Sequence, residues 1–409
     1  MINIKFNIEK LIILFVSLFT ILSVLDTPVT IKLVTYLICL ILLFVSFGVK
    51  KIIYDSYKEY YPYLIFTFIC ILSFLISFDF YSQNELTRNP QIENVIGLFL
   101  LLIFLINFQH KYIDIMNTTV IMMSIFLCFS IPVHFLYYKS SLLSATAFLS
   151  DFDTQSVATK NTLGVFLAFL LPFCIYKFKS NFNFINYIII ILFFIAIFYT
   201  FSRSALFLSI LSILSMTILG GKQYFKCSLV IVSSLIALLL LFQISPTKFN
   251  QLKIDSLKQV LKDDNYETEN VNKSFSLNSS RGQYILLSLQ GFKEKPIFGN
   301  GFGNFRNNTK IYDVDGSHLR SPVTHNDFLQ ILYELGLVGL ISFIFLFLFN
   351  FMRIRKMATE LRYLSAVMLT QIFLVAISLN AINLIDHPIF WILMAMTCIK
   401  ENYLEKFDN

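Results

Sequence analysis

The feature that most restricts this chain is a series of apolar runs, each about as long as a bilayer is thick. They lie near residues 10–26, 31–49, 61–78, 92–107, 113–138, 161–178, 184–200, 203–219, 227–243, 326–350, 361–380 and 384–400. A helix needs about 17–25 predominantly apolar residues to cross a hydrocarbon core of about 30 Å. The runs therefore predict an all-α polytopic membrane protein with about twelve transmembrane helices. Composition agrees: 14% of the 409 residues are charged and 46 are Phe, against roughly 25% charged in an ordinary soluble domain. Only FSR separates 184–200 from 203–219, which predicts a tight helical hairpin. The first run follows MINIKFNIEK without a small-residue cleavage site after it and reads as a retained helix.

The basic residues set an orientation. With the N-terminus inside, Lys50, Lys51, Lys58, Arg353, Arg355, Lys356 and Arg362 gather on inner segments, while the short outer segments hold Lys32, Arg88, Lys139, Lys160 and Arg203. That asymmetry puts both termini in the cytoplasm. The net charge of +7 is then mostly a positive-inside bias and carries no nucleic-acid inference. All six cysteines, Cys39, Cys70, Cys128, Cys174, Cys227 and Cys398, fall in or beside apolar runs, which argues against a disulfide framework or zinc site in the loops.

Three regions follow: residues 1–243 with transmembrane helices 1 to 9, an extracytoplasmic loop domain over 244–325, and residues 326–409 with helices 10 to 12 and a cytoplasmic tail. The middle region is too long to be structureless in a compact protein and is expected to form a small helical cap. FNQLKIDSLKQVLKDDN has helical apolar spacing and reads as a surface helix. NSSRGQYILLSLQGFKEKP starts a second helix with Ser279 or Ser280 as N-cap and ends it near Gly291. Gly299, Gly301 and Gly303 in PIFGNGFGNF read as a turn returning the chain to the membrane; no strand precedes them, as a nucleotide-binding loop would require.

Three polar groups on the outer side stand out. His325, in THNDFLQILYE, sits at the mouth of the tenth run, with Asn326 or Asp327 able to cap that helix. Asp327, Gln330 and Glu334 form a stripe at i, i+3 and i+7 that has to face protein or a water-filled cavity, because ionisable groups facing lipid cost several kcal/mol. That stripe serves a structural packing face or a site. An imidazole, with an ordinary pKa near 6.5, suits general-base work near neutral pH. Arg203 opens the eighth run, either snorkelling to headgroups or holding an anion. Arg281 lies in the first turn of its helix, beside free N–H groups and the positive end of the dipole. Two guanidinium forks on one face point to a phosphate-bearing ligand. His134 and the Asp386-His387-Pro388 turn read as helix-end polar groups, and His110 and His318 as solvated loop residues.

These segments resemble the O-antigen ligase superfamily of bacterial envelope enzymes. TFSRSALFLSIL is similar to the family's arginine motif opening a helix. SSRGQYILLSLQGFKEKPIFGNGFGNF is similar to its arginine helix followed by Pro and a glycine turn. THNDFLQILYELGLVGL is similar to its His-Asn start of a membrane helix. With TKNTLGVFLAFLLP, the likeness covers roughly residues 150–350. Phe201 and Ser204 stand where the family often has glycine, and Tyr284 where tryptophan is common. The resemblance implies a GT-C-like fold in the bacterial inner membrane with its site on the periplasmic face. It implies glycan transfer from undecaprenyl diphosphate to an acceptor sugar, the lipid A-core, with inversion and without a nucleotide, cofactor or required metal. Arg203 and Arg281 would hold the diphosphate and His325 would activate the acceptor hydroxyl, with Asn326, Asp327 and Glu334 in support. Polymerases joining repeat units share these motifs, and a twelve-helix transporter is the alternative from another class. A long loop after the ninth run and the lack of an internal repeat count against the transporter.

Overall fold

The computed structural model describes residues 2–24, 29–47, 49–77, 90–108, 111–138, 157–180, 184–200, 202–220, 224–225, 232, 280–305, 324, 326–357, 359–378 and 384–396. Every regular element among them is helical. In chain order these are α1 (Ile2–Val24), α2 (Val29–Phe47), α3 (Val49–Ser77), α4 (Pro90–Asn107), α5 (Tyr112–Tyr138), α6 (Val157–Ser180), α7 (Phe184–Tyr199), α8 (Arg203–Gly220), α9 (Ser280–Glu294), α10 (Asp327–Ile354), α11 (Thr359–Ile377) and α12 (Pro388–Met396). A 3-10 turn, Leu384–Asp386, precedes α12.

A helix stands at each expected apolar run except 227–243, of which only residue 232 is described; the surface helix expected in FNQLKIDSLKQVLKDDN and the loops with His110 and His318 lie outside the described residues. α7 and α8 follow each other directly, as expected, but each packs mainly on α6 and not on the other. Several boundaries differ from expectation. α3 begins at Val49, well before its apolar stretch. The last run is split between the 3-10 turn and α12, because His387 N–H bonds back to Leu384 O at 2.9 Å and Pro388 starts a new helix. Among the described residues, Tyr60–Ser77, Tyr112–Phe129 and Asp327–Ile354 are long and apolar enough to cross a membrane.

Two helices lie wholly inside the bundle. Every residue of α6 from Leu163 to Ile175 is buried, as is every residue of α12 from Ile389 to Ala395. A helix that is apolar all round has no solvent face to present and is covered on all sides. α5, α7, α8 and α11 cover α6, and α4 and α11 pack on α12. The Phe bias serves this packing. Phe343 of α10 sits edge-on to Phe328 at 5.3 Å and to Phe347 at 5.2 Å, and stacks with Phe390 of α12 at 6.3 Å. Such pairs contribute about 0.5–1.5 kcal/mol beyond buried area.

Buried polar side chains tie the helices together. Asn350 of α10 accepts the Tyr63 hydroxyl of α3 at 2.6 Å and donates to Leu346 O at 2.7 Å. Gln371 of α11 donates to Ala168 O of α6 at 3.0 Å and to Ser212 Oγ of α8. Ser17 of α1 donates to Ile115 O of α5 at 3.0 Å, and Tyr36 of α2 donates to Gly97 O of α4.

Candidate active site at a broken helix and two helix starts

Arg203 is the first residue of α8. The turn before it is built from hydroxyls. Thr200 Oγ1 donates to Ile197 O at 2.7 Å and accepts the Ser202 N–H at 3.3 Å, and Ser202 Oγ accepts the Ala205 N–H at 3.4 Å. Ser202 is thus an N-cap that satisfies one of the helix's unpaired donors. The turn rests on Gly164 of α6, where an added Cβ would come within 3.0 Å of Ala205 Cβ and 3.2 Å of Ser202 Cβ. TKNTLGVFLAFLLP and TFSRSALFLSIL, far apart in sequence, therefore meet at the helix start that carries Arg203.

Arg281 is the second residue of α9, which begins at Ser280. The helix does not stop at Gly291, as its sequence implied, but runs to Glu294. Gly291 is a packing residue, for a Cβ there would strike the Tyr333 ring of α10 and Asn300 Nδ2. Arg281 lies at the far end of α9 from this contact.

The chain then passes through Pro296–Gly303 into a break in α10. Gly336 has φ +63° and ψ −155° inside that helix, so Leu337 and Val338 cannot donate to their partners one turn back. The loop supplies replacements. Leu337 N–H donates to Pro296 O at 2.9 Å and Val338 N–H to Ile297 O at 3.2 Å. The two carbonyls released by the break, Tyr333 O and Glu334 O, accept the N–H groups of Asn300 and Gly301, each at 2.9 Å. Two donors and two acceptors lost by the helix are thus all recovered, as buried backbone groups require. Asn300 adds side-chain bonds to Gly291 O at 2.9 Å and Tyr333 O at 3.2 Å.

Glycine is needed here for two reasons. Gly299, Gly301 and Gly303 all have positive φ, at 70°, 102° and 80°, which bears out the turn reading. A Cβ on Gly299 would also collide with the backbone of Glu334, and one on Gly336 with that of Ile297. The loop and the helix approach backbone to backbone.

The polar stripe of α10 faces protein, as its chemistry demanded. Asp327 and Glu334 are fully buried and Gln330 nearly so. Glu334 Oε1 accepts the Phe305 N–H and Gln330 Nε2, each at 3.2 Å. Ser73 of α3 donates to Glu334 O at 3.2 Å. Asp327 Oδ2 accepts the Leu384 N–H at 3.4 Å. Asn326 is the N-cap, its Oδ1 accepting the Leu329 N–H at 2.9 Å while Nδ2 donates to Ile377 O of α11 at 2.6 Å. Thr324 Oγ1 donates to Asn326 O at 2.8 Å. Asn326, Asp327 and Glu334 are therefore engaged in holding the start of α10 against α11, the 3-10 turn and the loop.

His325 lies outside the described residues; its neighbours Thr324 and Asn326 are both buried. For Arg203 and Arg281 the description reaches the backbone and its helix positions. His134 is within α5 and His387 joins the 3-10 turn to α12. Sequence reasoning passed over Ser202, Gly164, Asn300 and Gly336. Only the Ser202-to-Ala205 capping pattern carried a local signal for any of them.

Residues 188–344 match the family model described as O-Antigen ligase. That span runs from within α7 to the second half of α10 and includes Arg203, Arg281, His325, Asn326, Asp327 and Glu334. No curated protein matches the chain at a significant level.

Proposed function

Because its residues 188–344 belong to the O-antigen ligase/polymerase superfamily, we propose that this membrane protein is a glycosyltransferase that moves a glycan from undecaprenyl diphosphate to an acceptor sugar, the lipid A-core, in lipopolysaccharide synthesis. Transfer takes place on the periplasmic face of the inner membrane. The acceptor hydroxyl oxygen bonds to the anomeric carbon as the bond to the diphosphate oxygen breaks, and the diphosphate leaves with the electron pair. Approach opposite the leaving group inverts the anomeric centre. Arg203 and Arg281 neutralise the charge that grows on the diphosphate, in bidentate contacts. Each stands in the first turn of a helix, where free N–H groups and the dipole add to the attraction for an anion. His325 takes the proton of the attacking hydroxyl.

The observation that carries this reading is the bond from Asn326 to Ile377 O, taken with the Gln371 joint. On the alternating topology that the charge pattern predicts, α8 and α11 are antiparallel. From the Gln371 level, Ile377 then lies about 9 Å outward along α11, and Arg203 about 7.5 Å outward along α8 from Leu208, whose carbonyl accepts from Gln371 Nε2 at 3.5 Å, or about 13.5 Å from Ser212. This supports a site in which Arg203 stands near the depth of Asn326 and its neighbour His325.

The test is reconstitution of purified protein in liposomes with undecaprenyl-diphosphate-linked glycan and no ion gradient. Glycan appearing on added lipid A-core supports the ligase. Lengthening of the lipid-linked glycan without lipid A-core supports a polymerase instead, and passage across the bilayer without a new glycosidic bond supports a transporter.

A further inference from the structure

α10 is longer than a bilayer requires. Its 28 residues extend about 42 Å at about 1.5 Å per residue, whereas the hydrocarbon core is about 30 Å thick. Its exposure divides the helix in two. From Asp327 to Gly336 no residue is exposed. From Leu337 onward one face is, with Leu337 at 42%, Ile341 at 64%, Leu348 at 54% and Phe351 at 54%. Leu337 to Ile354 covers about 27 Å, close to one hydrocarbon thickness, and Arg353, Arg355 and Lys356 close its far end.

α3 reaches the same loop, about 6 Å farther out when counted from the Tyr61–Phe349 pair. Its apolar window is Tyr60–Ser77, again about 27 Å. One end meets the far end of α10, where the Tyr61 ring lies 5.3 Å from that of Phe349. The other end, Ser77, abuts Gly301, while Leu337 is bonded to Pro296. Both lipid-facing stretches therefore stop at the glycine loop.

On that loop Ile297 and Phe298 are 56% and 57% exposed, beside a polar run of Lys293, Glu294 and Lys295 that is exposed as well. Two adjacent large apolar side chains open to water would be costly, at about 25 cal/mol per Å² of apolar surface. Next to a hydrocarbon edge they are not.

We propose that the break at Gly336 marks the hydrocarbon boundary of the outer leaflet, and that Ile297 and Phe298 form a wedge inserted into its acyl chains. Lys293 and Lys295 then lie at the depth of the lipid phosphates, in the usual arrangement of cationic side chains at a membrane interface. Only Leu337–Ile354 of α10 crosses the hydrocarbon, and Asp327–Gly336 stands above it, enclosed by protein. The two buried carboxylates of α10, Asp327 and Glu334, both lie on the part that protein encloses and not on the part with a lipid-facing side. The inference rests on the membrane reading and not on the glycan chemistry, so loss of the proposed transfer activity leaves it untouched.

The test uses the full chain in liposomes. The one native tryptophan, Trp391, is fully buried and provides a constant background. Phe298→Trp and, separately, Ile297→Trp add a reporter at the wedge. Fluorescence of the added tryptophan is expected to fall strongly with phospholipids brominated near the glycerol end of the chains, less with bromines near the chain end, and little with aqueous iodide. Strong quenching by iodide without quenching by brominated lipid overturns the proposal, since the wedge is then in water. Quenching by neither also overturns it, since protein then covers the two residues. Two variants guard against one that does not fold.

Discussion

Glu334 Oε1 holds the backbone N–H of Phe305 across 3.2 Å in a setting with no exposure to solvent. A carboxylate that sequence alone offers as a rival base is thus the anchor for the last described residue of the glycine loop. Removing it strands two buried donors, the Phe305 N–H and Gln330 Nε2, and the first alone costs about 1–3 kcal/mol. Glu334→Ala is expected to lose stability by at least that amount and Glu334→Gln by less, because the amide oxygen still accepts. Thermal unfolding of the purified variants in one detergent measures the difference.

Gly299 and Gly336 are expected to be the least replaceable residues of the loop and the break. Alanine at either brings the strain of positive φ, about 1–2 kcal/mol, and a backbone collision. Gly299→Ala and Gly336→Ala should each destabilise by more than that strain alone. Gly291→Ala, at ordinary helical φ, should be limited to the cost of moving the Tyr333 ring. Comparing the three unfolding midpoints checks the order.

The Tyr63–Asn350 bond crosses from α3 to α10 in the lipid-facing part of the bundle. Interhelical hydrogen bonds in membranes are worth about 0.6 kcal/mol on average and up to about 1.7. A double-mutant cycle with Tyr63→Phe and Asn350→Leu should give a coupling within that range, and a coupling near zero would show that packing alone fixes the pair.

At the proposed diphosphate site, Arg203→Lys and Arg281→Lys should each lose most transfer although charge is kept, since an ammonium cannot reproduce bidentate contacts. His325→Ala should lose about 10²- to 10⁴-fold in rate with donor binding intact. Single-turnover transfer and binding of lipid-linked donor, measured on the same preparations, separate the two effects. Parental activity in both Lys variants would leave the arginines as interfacial anchors.

Much of the helical framework was legible because hydropathy is a local property. Each apolar run reports its own burial, and the runs around 161–178 and 184–200 needed no knowledge of their partners. The stripe of Asp327, Gln330 and Glu334 was legible for a related reason: lipid forbids its alternatives, so burial in protein followed from residue type alone. The break at Gly336 was hidden because Leu335, Leu337 and Val338 carry the apolar run straight across it with no proline or polar residue, and what opens the helix there is a loop some forty residues earlier. The helix end expected at Gly291 failed for the same cause. Glycine is a common stop signal, but here the space beside Tyr333 required it inside the helix. Around His325 the structure adds ties that no local pattern carried: Thr324 before it, and Asn326, Asp327 and Glu334 after it.

The exchange of hydrogen bonds at the break also bears on biogenesis. When α10 leaves the insertion machinery, the N–H groups of Leu337 and Val338 and the carbonyls of Tyr333 and Glu334 have no partners within the helix if Gly336 is already turned, and leaving such groups bare in lipid costs several kcal/mol apiece. The loop that completes them precedes α10 in the chain and, on the topology expected from the charge pattern, is outside first. Nascent α10 is therefore expected to enter as an uninterrupted helix and to open as the loop docks, which makes the break a late joint.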